Sequence, residues 1–395
     1  MEICTPASCT GCGMCSNICP VNAITMTKGE NDFIFPKIDA TACVKCDKCA
    51  KACPANQAID RTLTVKNTYA AWNKNKTVRK CSSSGGVFSV FANQILEEGG
   101  VIIGVALQDL EARHIVITKK SELPALNGSK YVQSNTGDIY KQVKERLEAG
   151  KKVLFSGTPC QVHAIRQFLG KEYENLICVD VICHGVPSLS MLHKHIAEVS
   201  GDRKAKDIKF RYKDPYWDYS YVRIEYADDG ITYQRLTVDD DYFHLFNISF
   251  SIRQSCHECH YACTHRQGDI TLADYWEYKA HNFKMNNYFG GISLILVNSY
   301  KGQKLLDDVT PELKIEHASL ENAKCGQKCL SEPFRLPSED LEAFWEDYRS
   351  GMTIRELSEK YYNNKFVRPK FLWLRHLKSK YIWILKKFPG VEMNE

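Results

Sequence analysis

The sequence predicts an α/β main domain with a mostly parallel sheet and an antiparallel insert, preceded by a small N-terminal α+β unit. Three observations carry this reading. Strand-like runs alternate with helical ones from about residue 69, residues 207–238 break that alternation, and eight of the 18 Cys fall in two copies of one pattern within the first 53 residues. The chain of 395 residues, 44% hydrophobic and 25% charged, is large enough for two or three domains with buried cores, which excludes a disordered protein. No apolar run reaches the length of a membrane-spanning helix. The opening Met-Glu-Ile-Cys holds an acid and a thiol where a secretory leader needs a basic and then an apolar stretch. A cytoplasmic chain is therefore expected, and there thiolates serve as metal ligands more readily than as disulfides.

The first cysteine copy is Cys9-x2-Cys12-x2-Cys15-x3-Cys19-Pro20, and each of its Cys recurs 34 residues later as Cys43, Cys46, Cys49 and Cys53, the last again before Pro. Cys-x2-Cys-x2-Cys wraps three thiolates around one corner of an iron–sulfur cube, and in two-cluster ferredoxins the Cys before Pro serves the other cluster. That assigns Cys9, Cys12, Cys15 and Cys53 to one [4Fe–4S] cluster and Cys43, Cys46, Cys49 and Cys19 to a second. A zinc site would show two separated Cys pairs rather than four evenly stepped Cys. Residues 1–62 are thus expected to form a two-cluster ferredoxin-like domain, with the polar stretch Asp60–Asn75 as its exit.

The main domain is expected over residues 69–335. Ser82-Ser83-Ser84-Gly85-Gly86 opens a helix with Val87, Phe91 and Ile95 on one face, closed by Gly99-Gly100. Strands follow at Val101–Leu107, Lys152–Phe155 and Leu176–Ile182, with an amphipathic helix to about Leu169 between the last two, and Ile292–Val297 adds another strand before a lysine-rich helix. Cys160 follows one of these strands and Cys183 ends the next. In a parallel sheet both thiols lie in the crevice at the carboxyl edge, and the close pair Cys256 and Cys259 completes four candidate ligands for a third cluster. A zinc knuckle in Cys256-His-Glu-Cys259-His-Tyr-Ala-Cys263 is the rival reading, and Cys263, Cys325 and Cys329 are spare thiols that could replace an assigned ligand. Cys178 reads as a buried small hydrophobe, and Cys4 and Cys81 have no assigned role. Ser83, Ser84, Gly85 and Gly86 at a helix start could expose backbone N–H groups to a pyrophosphate, and Gly157 and Thr158 precede a second helix in the same manner.

Residues 336–395 read as a helical extension. Between Lys365 and Phe388 stand eight Lys or Arg and no acid, with Leu374, Leu377, Tyr381, Ile384 and Phe388 at helical spacing. Interleaved aromatics suit a bilayer surface better than a nucleic-acid groove, so peripheral membrane contact is expected and nucleic acid is not; a helix docked on its own domain is the plainer alternative. The formal charge of +5 becomes −1 over the first 364 residues once the eight bases and two acids of residues 365–395 are set aside. An acidic body with a basic tail results.

Six motifs occur in order: Ser82–Val87, Gly128-Ser129-Lys130-Tyr131-Val132-Gln133-Ser134, Gly157-Thr158-Pro159-Cys160-Gln161, Cys183-His184-Gly185-Val186-Pro187-Ser188, Ser255-Cys256-x2-Cys259 and Gly268–Trp276. Together they resemble the beta subunit family of coenzyme F420 hydrogenases and dehydrogenases, in which a ferredoxin front end is common. Ala273 and Glu277 stand where that family often has glycines. The resemblance implies FAD beside a [4Fe–4S] cluster held by Cys160, Cys183, Cys256 and Cys259. Near such a flavin Lys130, with Tyr131 next to it, could hold a negative charge or be an ordinary solvated Lys, and His184 is either a proton donor or a hydrogen-bonding group that orients Cys183. The function so implied is an iron–sulfur flavoprotein oxidoreductase. It would exchange electrons with an external carrier such as ferredoxin or a redox partner subunit, and a hydride with coenzyme F420 or another small two-electron substrate. A non-catalytic electron-transfer subunit of a larger complex is the alternative.

Overall fold

A computed structural model describes residues 2–59, 61–213, 217, 220–227, 230, 232–276, 278 and 290–365. The N-terminal unit pairs β1 (Ile24–Lys28) with β2 (Ile34–Ile38) antiparallel, and short helices at Met14–Ile18 and Lys48–Lys51 carry Cys15 and Cys49. The sequence repeat is also a backbone repeat. Gly13 (φ 74°, ψ 3°) and Asp47 (φ 57°, ψ 6°), 34 residues apart, start the two helices in the left-handed region. Cys19 (ψ 116°) and Cys53 (ψ 124°) are extended at equivalent places.

The main sheet has eight strands: β3 (Asn67–Asn73), β4 (Val101–Gln108), β5 (Glu111–Ile117), β6 (Val153–Gly157), β7 (Leu176–Val181), β11 (Ile270–Asp274), β12 (Ser293–Val297) and β13 (Leu313–His317). Three further strands, β8 (Ala205–Lys213), β9 (Ser220–Tyr226) and β10 (Thr232–Leu236), form the antiparallel insert. The order across the large sheet is β13-β3-β12-β11-β7-β6-β4-β5. Its four central strands β11, β7, β6 and β4 are mutually parallel, while β5, β12, β3 and β13 join antiparallel at the two sides. The sheet is therefore mixed rather than mostly parallel, because β5 and β12 each run back antiparallel beside the strand that precedes them in the chain, and β3 and β13 then add antiparallel pairings.

One flanking strand lies inside the expected polar exit. Asn67–Asn73 is buried from Thr68 onward between β12 and β13, and its Tyr-Ala-Ala-Trp centre lacks the β-branched run that marks a strand. β5 lacks a local signal for a different reason. It returns from β4 through Asp109 (φ 51°) and Leu110 (φ 62°), a two-residue left-handed turn without the usual glycine or asparagine.

Side chains alternate across the central strands. On β7, Ile177 and Val179 join the core beneath the helices Val87–Glu97 and Tyr300–Val309, whereas Leu176 and Cys178 face the helices Ile139–Glu148 and Pro159–Leu169. That second core is continuous with Met14, Cys15, Ile24, Cys49 and Cys53 of the N-terminal unit. A third core joins β8 and β9 to the helices Leu189–Ser200, Asp241–Asn247, Ser338–Arg349 and Ile354–Lys365. It includes Phe33 of the N-terminal unit, edge-on to Trp345 at 5.7 Å. The basic tail beyond Lys365 lies outside the described residues.

Candidate cluster sites and the central cavity

The Cys9–Cys15 loop is held from the main domain. The Cys12 carbonyl accepts from Tyr140 Oη at 2.8 Å and from Thr136 Oγ1 at 3.0 Å, and Asn17 Nδ2 donates to Gly137 O at 2.7 Å. Contact is so close that a Cβ on Gly11 would stand 2.1 Å from Gln133 Nε2. Cys9, Cys12, Cys15 and Cys53 gather at this loop. Burial first, and then the neighbouring Cys12, Cys9 and Cys53, push the Cys15 thiol far up. Cys4, which the sequence left without a role, adjoins both Cys9 and Cys53.

Cys19, Cys43, Cys46 and Cys49 line a separate small pocket at the far end of the unit, together with Val21 and Val44. This end is open to solvent: Cys46 is exposed, and so are the apolar side chains of Val44 and Val21.

A cavity of about 870 Å³ opens at the carboxyl edge of the parallel strands. Cys160 enters it from the first turn of the helix Pro159–Leu169, at whose start the Thr158 N–H donates to Gln161 Oε1 at 3.0 Å. Cys183 reaches it just past β7, Cys256 from the short helix Gln254–His257, and Cys259 from the turn beyond. The four thiols are mutual neighbours. Burial, then Cys256, Cys160 and Cys259, raise Cys183 far above the usual thiol range, and burial followed by Cys256 and Cys160 raises Cys259 to about 12. Without metal, four such thiolates cannot coexist; iron binding would displace the protons, so the donor set fits a cluster. Of the spare thiols, buried Cys329 also lines the cavity, whereas Cys263 Sγ points to the carbonyls of His260 and His265 and Cys325 is exposed. Among the described residues no group of three or more His, Cys, Asp or Glu is gathered closely enough to hold a single metal ion, and His257 Nδ1 is bonded to Phe334 O. Cys160 also adjoins the N-terminal set, since it helps burial raise Cys12 to about 12.

The rest of the wall comes from both halves of the sheet. Ser83, Ser84, Gly86, Lys130, Tyr131, Gly157, Thr158 and His184 all line the cavity. Gly85 does not: its N–H donates to Ser293 Oγ at 3.0 Å, and a Cβ there would sit 2.6 Å from Ala71 O. Its lack of a side chain serves the packing of the loop on β3 and β12. Ser83 Oγ accepts from Ser129 N at 2.7 Å and ties two lining loops together. Lys130 Nζ donates to Asn127 O at 3.0 Å, and burial lowers its ammonium to about 8, so it is a partly buried cation rather than a solvated one. His184 is held by Ser249 Oγ at 2.9 Å between Phe246 and Phe334, and burial lowers its imidazole to about 4.

One wall group had no signal in the sequence. Trp217, between β8 and β9, stacks on Trp276 at 4.4 Å and 5°, donating Nε1 to Asp274 Oδ1 at 2.9 Å, while Arg211 pairs with the other Asp274 oxygen. The insert thus folds back over the carboxyl edge of β11, bringing residues about 60 apart into one wall.

The chain matches three family profiles. Residues 8–57 match a 4Fe-4S dicluster domain, residues 68–141 the N-terminal part of the coenzyme F420 hydrogenase/dehydrogenase beta subunit, and residues 150–323 the C terminus of that subunit. It is 23% identical over 235 residues to a subunit of the F(420)H(2) dehydrogenase of Methanosarcina mazei, a match spanning 54% of this chain and 64%, less than two thirds, of the relative. A chain of the F420-reducing [NiFe] hydrogenase complex from Methanosarcina barkeri, solved with xenon derivatization, superposes with a TM-score of 0.48 at 14% identity, covering 75% of this chain and 97% of that one. Among the described residues no helix is long and apolar enough to cross a membrane.

Proposed function

We propose, for a chain that belongs to the coenzyme F420 hydrogenase/dehydrogenase beta subunit family and carries a 4Fe-4S dicluster domain in front, that it is an iron–sulfur flavoprotein oxidoreductase. The observation that carries this reading is the succession of cysteine sets. Cys19, Cys43, Cys46 and Cys49 line a small pocket at the end of the unit where Cys46 is exposed; Cys9, Cys12, Cys15 and Cys53 gather at the docked loop; and Cys160, Cys183, Cys256 and Cys259 stand on the wall of the cavity. Each set would hold one [4Fe–4S] cluster. Ser83, Ser84, Gly86, Lys130, Tyr131, Gly157 and Thr158 would hold the phosphates and ring of FAD. When bound, the clusters carry single electrons and the flavin gathers them into a hydride pair. The protein's own part is to hold these groups in register, shield the inner ones from water and shape the substrate face of the cavity. An external carrier or partner subunit would meet the exposed end, and coenzyme F420 or another small two-electron acceptor the cavity. The name of the Methanosarcina mazei relative makes the deazaflavin the first substrate to try.

The test is anaerobic purification with iron, sulfide and flavin assays, then reduction in the presence of candidate acceptors. About twelve iron and one flavin per chain are expected. About eight iron and no flavin would leave only the dicluster domain and defeat the catalytic half. The exposed end favours a second reading, a non-catalytic electron-transfer subunit. A protein with all cofactors that reduces no acceptor but binds a second chain tightly would establish it.

A further inference from the structure

Arg253 is buried to 1% exposure between the N-terminal unit and the cavity. Its Nε donates to Cys9 O at 2.5 Å, and its Nη1 to Ile34 O at 3.0 Å and Gln133 Oε1 at 3.3 Å. The guanidinium lies over the rings of Phe35 at 4.2 Å and Phe33 at 5.4 Å. Three residues further on stands Cys256, whose N–H donates to Arg253 O at 2.9 Å. One side chain therefore touches the Cys9 loop while its backbone starts the helix that presents Cys256.

The surroundings leave its charge uncompensated. Buried Arg211 and Arg266 pair with Asp274 and Asp180, but among the described residues no carboxylate pairs with Arg253, and its Nη2 finds no acceptor. A guanidinium keeps its charge in a protein, and a buried one without a counter-charge is strongly disfavoured. Cys9, whose carbonyl accepts from its Nε, and Cys256, whose N–H donates to its carbonyl, are the cluster-set cysteines bonded directly to it.

We infer that Arg253 is a potential-setting residue: its buried charge is balanced by the two cysteine sets on either side of it, and it makes both inner clusters easier to reduce. The inference rests on the assignment of those sets to clusters. A positive charge near a site stabilises the added electron, and the effect is large where no water screens it. None of the hydrogen bonds or ring contacts of Arg253 involves Cys19, Cys43, Cys46 or Cys49, so that set supplies an internal control.

The experiment is an anaerobic redox titration of the intact protein, followed by electron paramagnetic resonance, for the natural chain and for Arg253→Gln, Arg253→Lys and Gln133→Glu. In Arg253→Gln the two inner couples are expected to shift about tenfold toward the oxidised form, or about 59 mV lower for a one-electron couple. The outer couple stays in place. Arg253→Lys, which keeps the charge, should hold both inner couples within about threefold. Gln133→Glu places a carboxylate against the guanidinium in its own pocket and should lower the same two couples, so the inference is tested even if Arg253→Gln loses its iron. Iron near twelve per chain with no shift in either neutralising variant, or an equal shift of all three couples, overturns the inference alone. A natural chain with only about eight iron overturns the cluster assignment and this inference with it.

Discussion

The Tyr140 hydroxyl donates to the carbonyl of Cys12 at 2.8 Å, so a helix of the main domain holds the backbone of the cysteine loop directly. Thr136 Oγ1 reaches the same oxygen at 3.0 Å. The two domains that the sequence separates are thereby joined at the residues that would carry electrons between them.

Removing one of these donors should cost little and removing both should cost more. Tyr140→Phe and Thr136→Val are each expected to lower unfolding free energy by about 1 kcal/mol, the usual net worth of one hydrogen bond. The double variant strands the Cys12 carbonyl and should lose more than the sum. Urea unfolding of all four proteins measures the coupling; strict additivity would mean that the carbonyl finds another partner.

Cysteine replacements separate the three sets. Cys46→Ser and Cys183→Ser should each lower iron from about twelve to about eight per chain. Cys329→Ser should leave it unchanged. Loss of iron in Cys329→Ser, with retention in Cys259→Ser, would exchange those two assignments.

Gly85 offers a steric test of the cavity loop. A methyl group there would meet Ala71 O at 2.6 Å and Ser293 N at 2.9 Å, both backbone atoms. Gly85→Ala should therefore displace the Ser82–Gly86 loop, costing about 1–3 kcal/mol and reducing flavin retained on gel filtration. A variant of unchanged stability and flavin content would show that the loop yields freely.

The buried pair His195–Asp240, with Nε2 to Oδ2 at 3.1 Å, predicts a pH dependence of stability. Burial pulls the imidazole of His195 down, but Asp240 more than reverses it, so its pKa is raised; burial works against the lowered carboxyl of Asp240, and His195 prevails. The histidine contribution is complete below the ordinary imidazole value of ~6.5 and is lost as pH rises through the higher folded value. The aspartate contribution is present above ~3.9 and is lost as pH falls through the lower folded value. Urea midpoints should therefore decline above neutrality in the natural chain. Asp240→Asn should lower stability by about 3–5 kcal/mol near pH 6 and flatten that decline. An unaltered slope would place its origin elsewhere.

The basic tail gives the last prediction. If residues 365–395 bind anionic membranes, the full chain should float with phosphatidylserine vesicles, while a chain ending at Asn364 should not. Equal flotation removes the membrane reading.

The cysteine octet was legible because its information is local: the 34-residue repeat brings the same helix-start and extended backbone to both copies. The parallel centre was legible from strands alternating with helices, and it put Cys160 and Cys183 at one edge. The flanking strands were hidden, since Tyr69–Trp72 has no β-branched run and the Asp109–Leu110 turn has no glycine. Gly85 was legible as a close approach, but what approaches it could not be read, because Ser293 lies 208 residues away.

Residue types and spacing, which act over a few turns of chain, determined by themselves the repeated cysteine pattern of the dicluster domain and the alternation of strands and helices behind it. Long-range packing alone decided that the cysteine loop docks under Tyr140, that Trp217 and Trp276 share a wall, and that Arg253 lies buried between two thiol sets. Such pairings depend on how the sheet brings distant segments together, and local sequence carries no record of that distance.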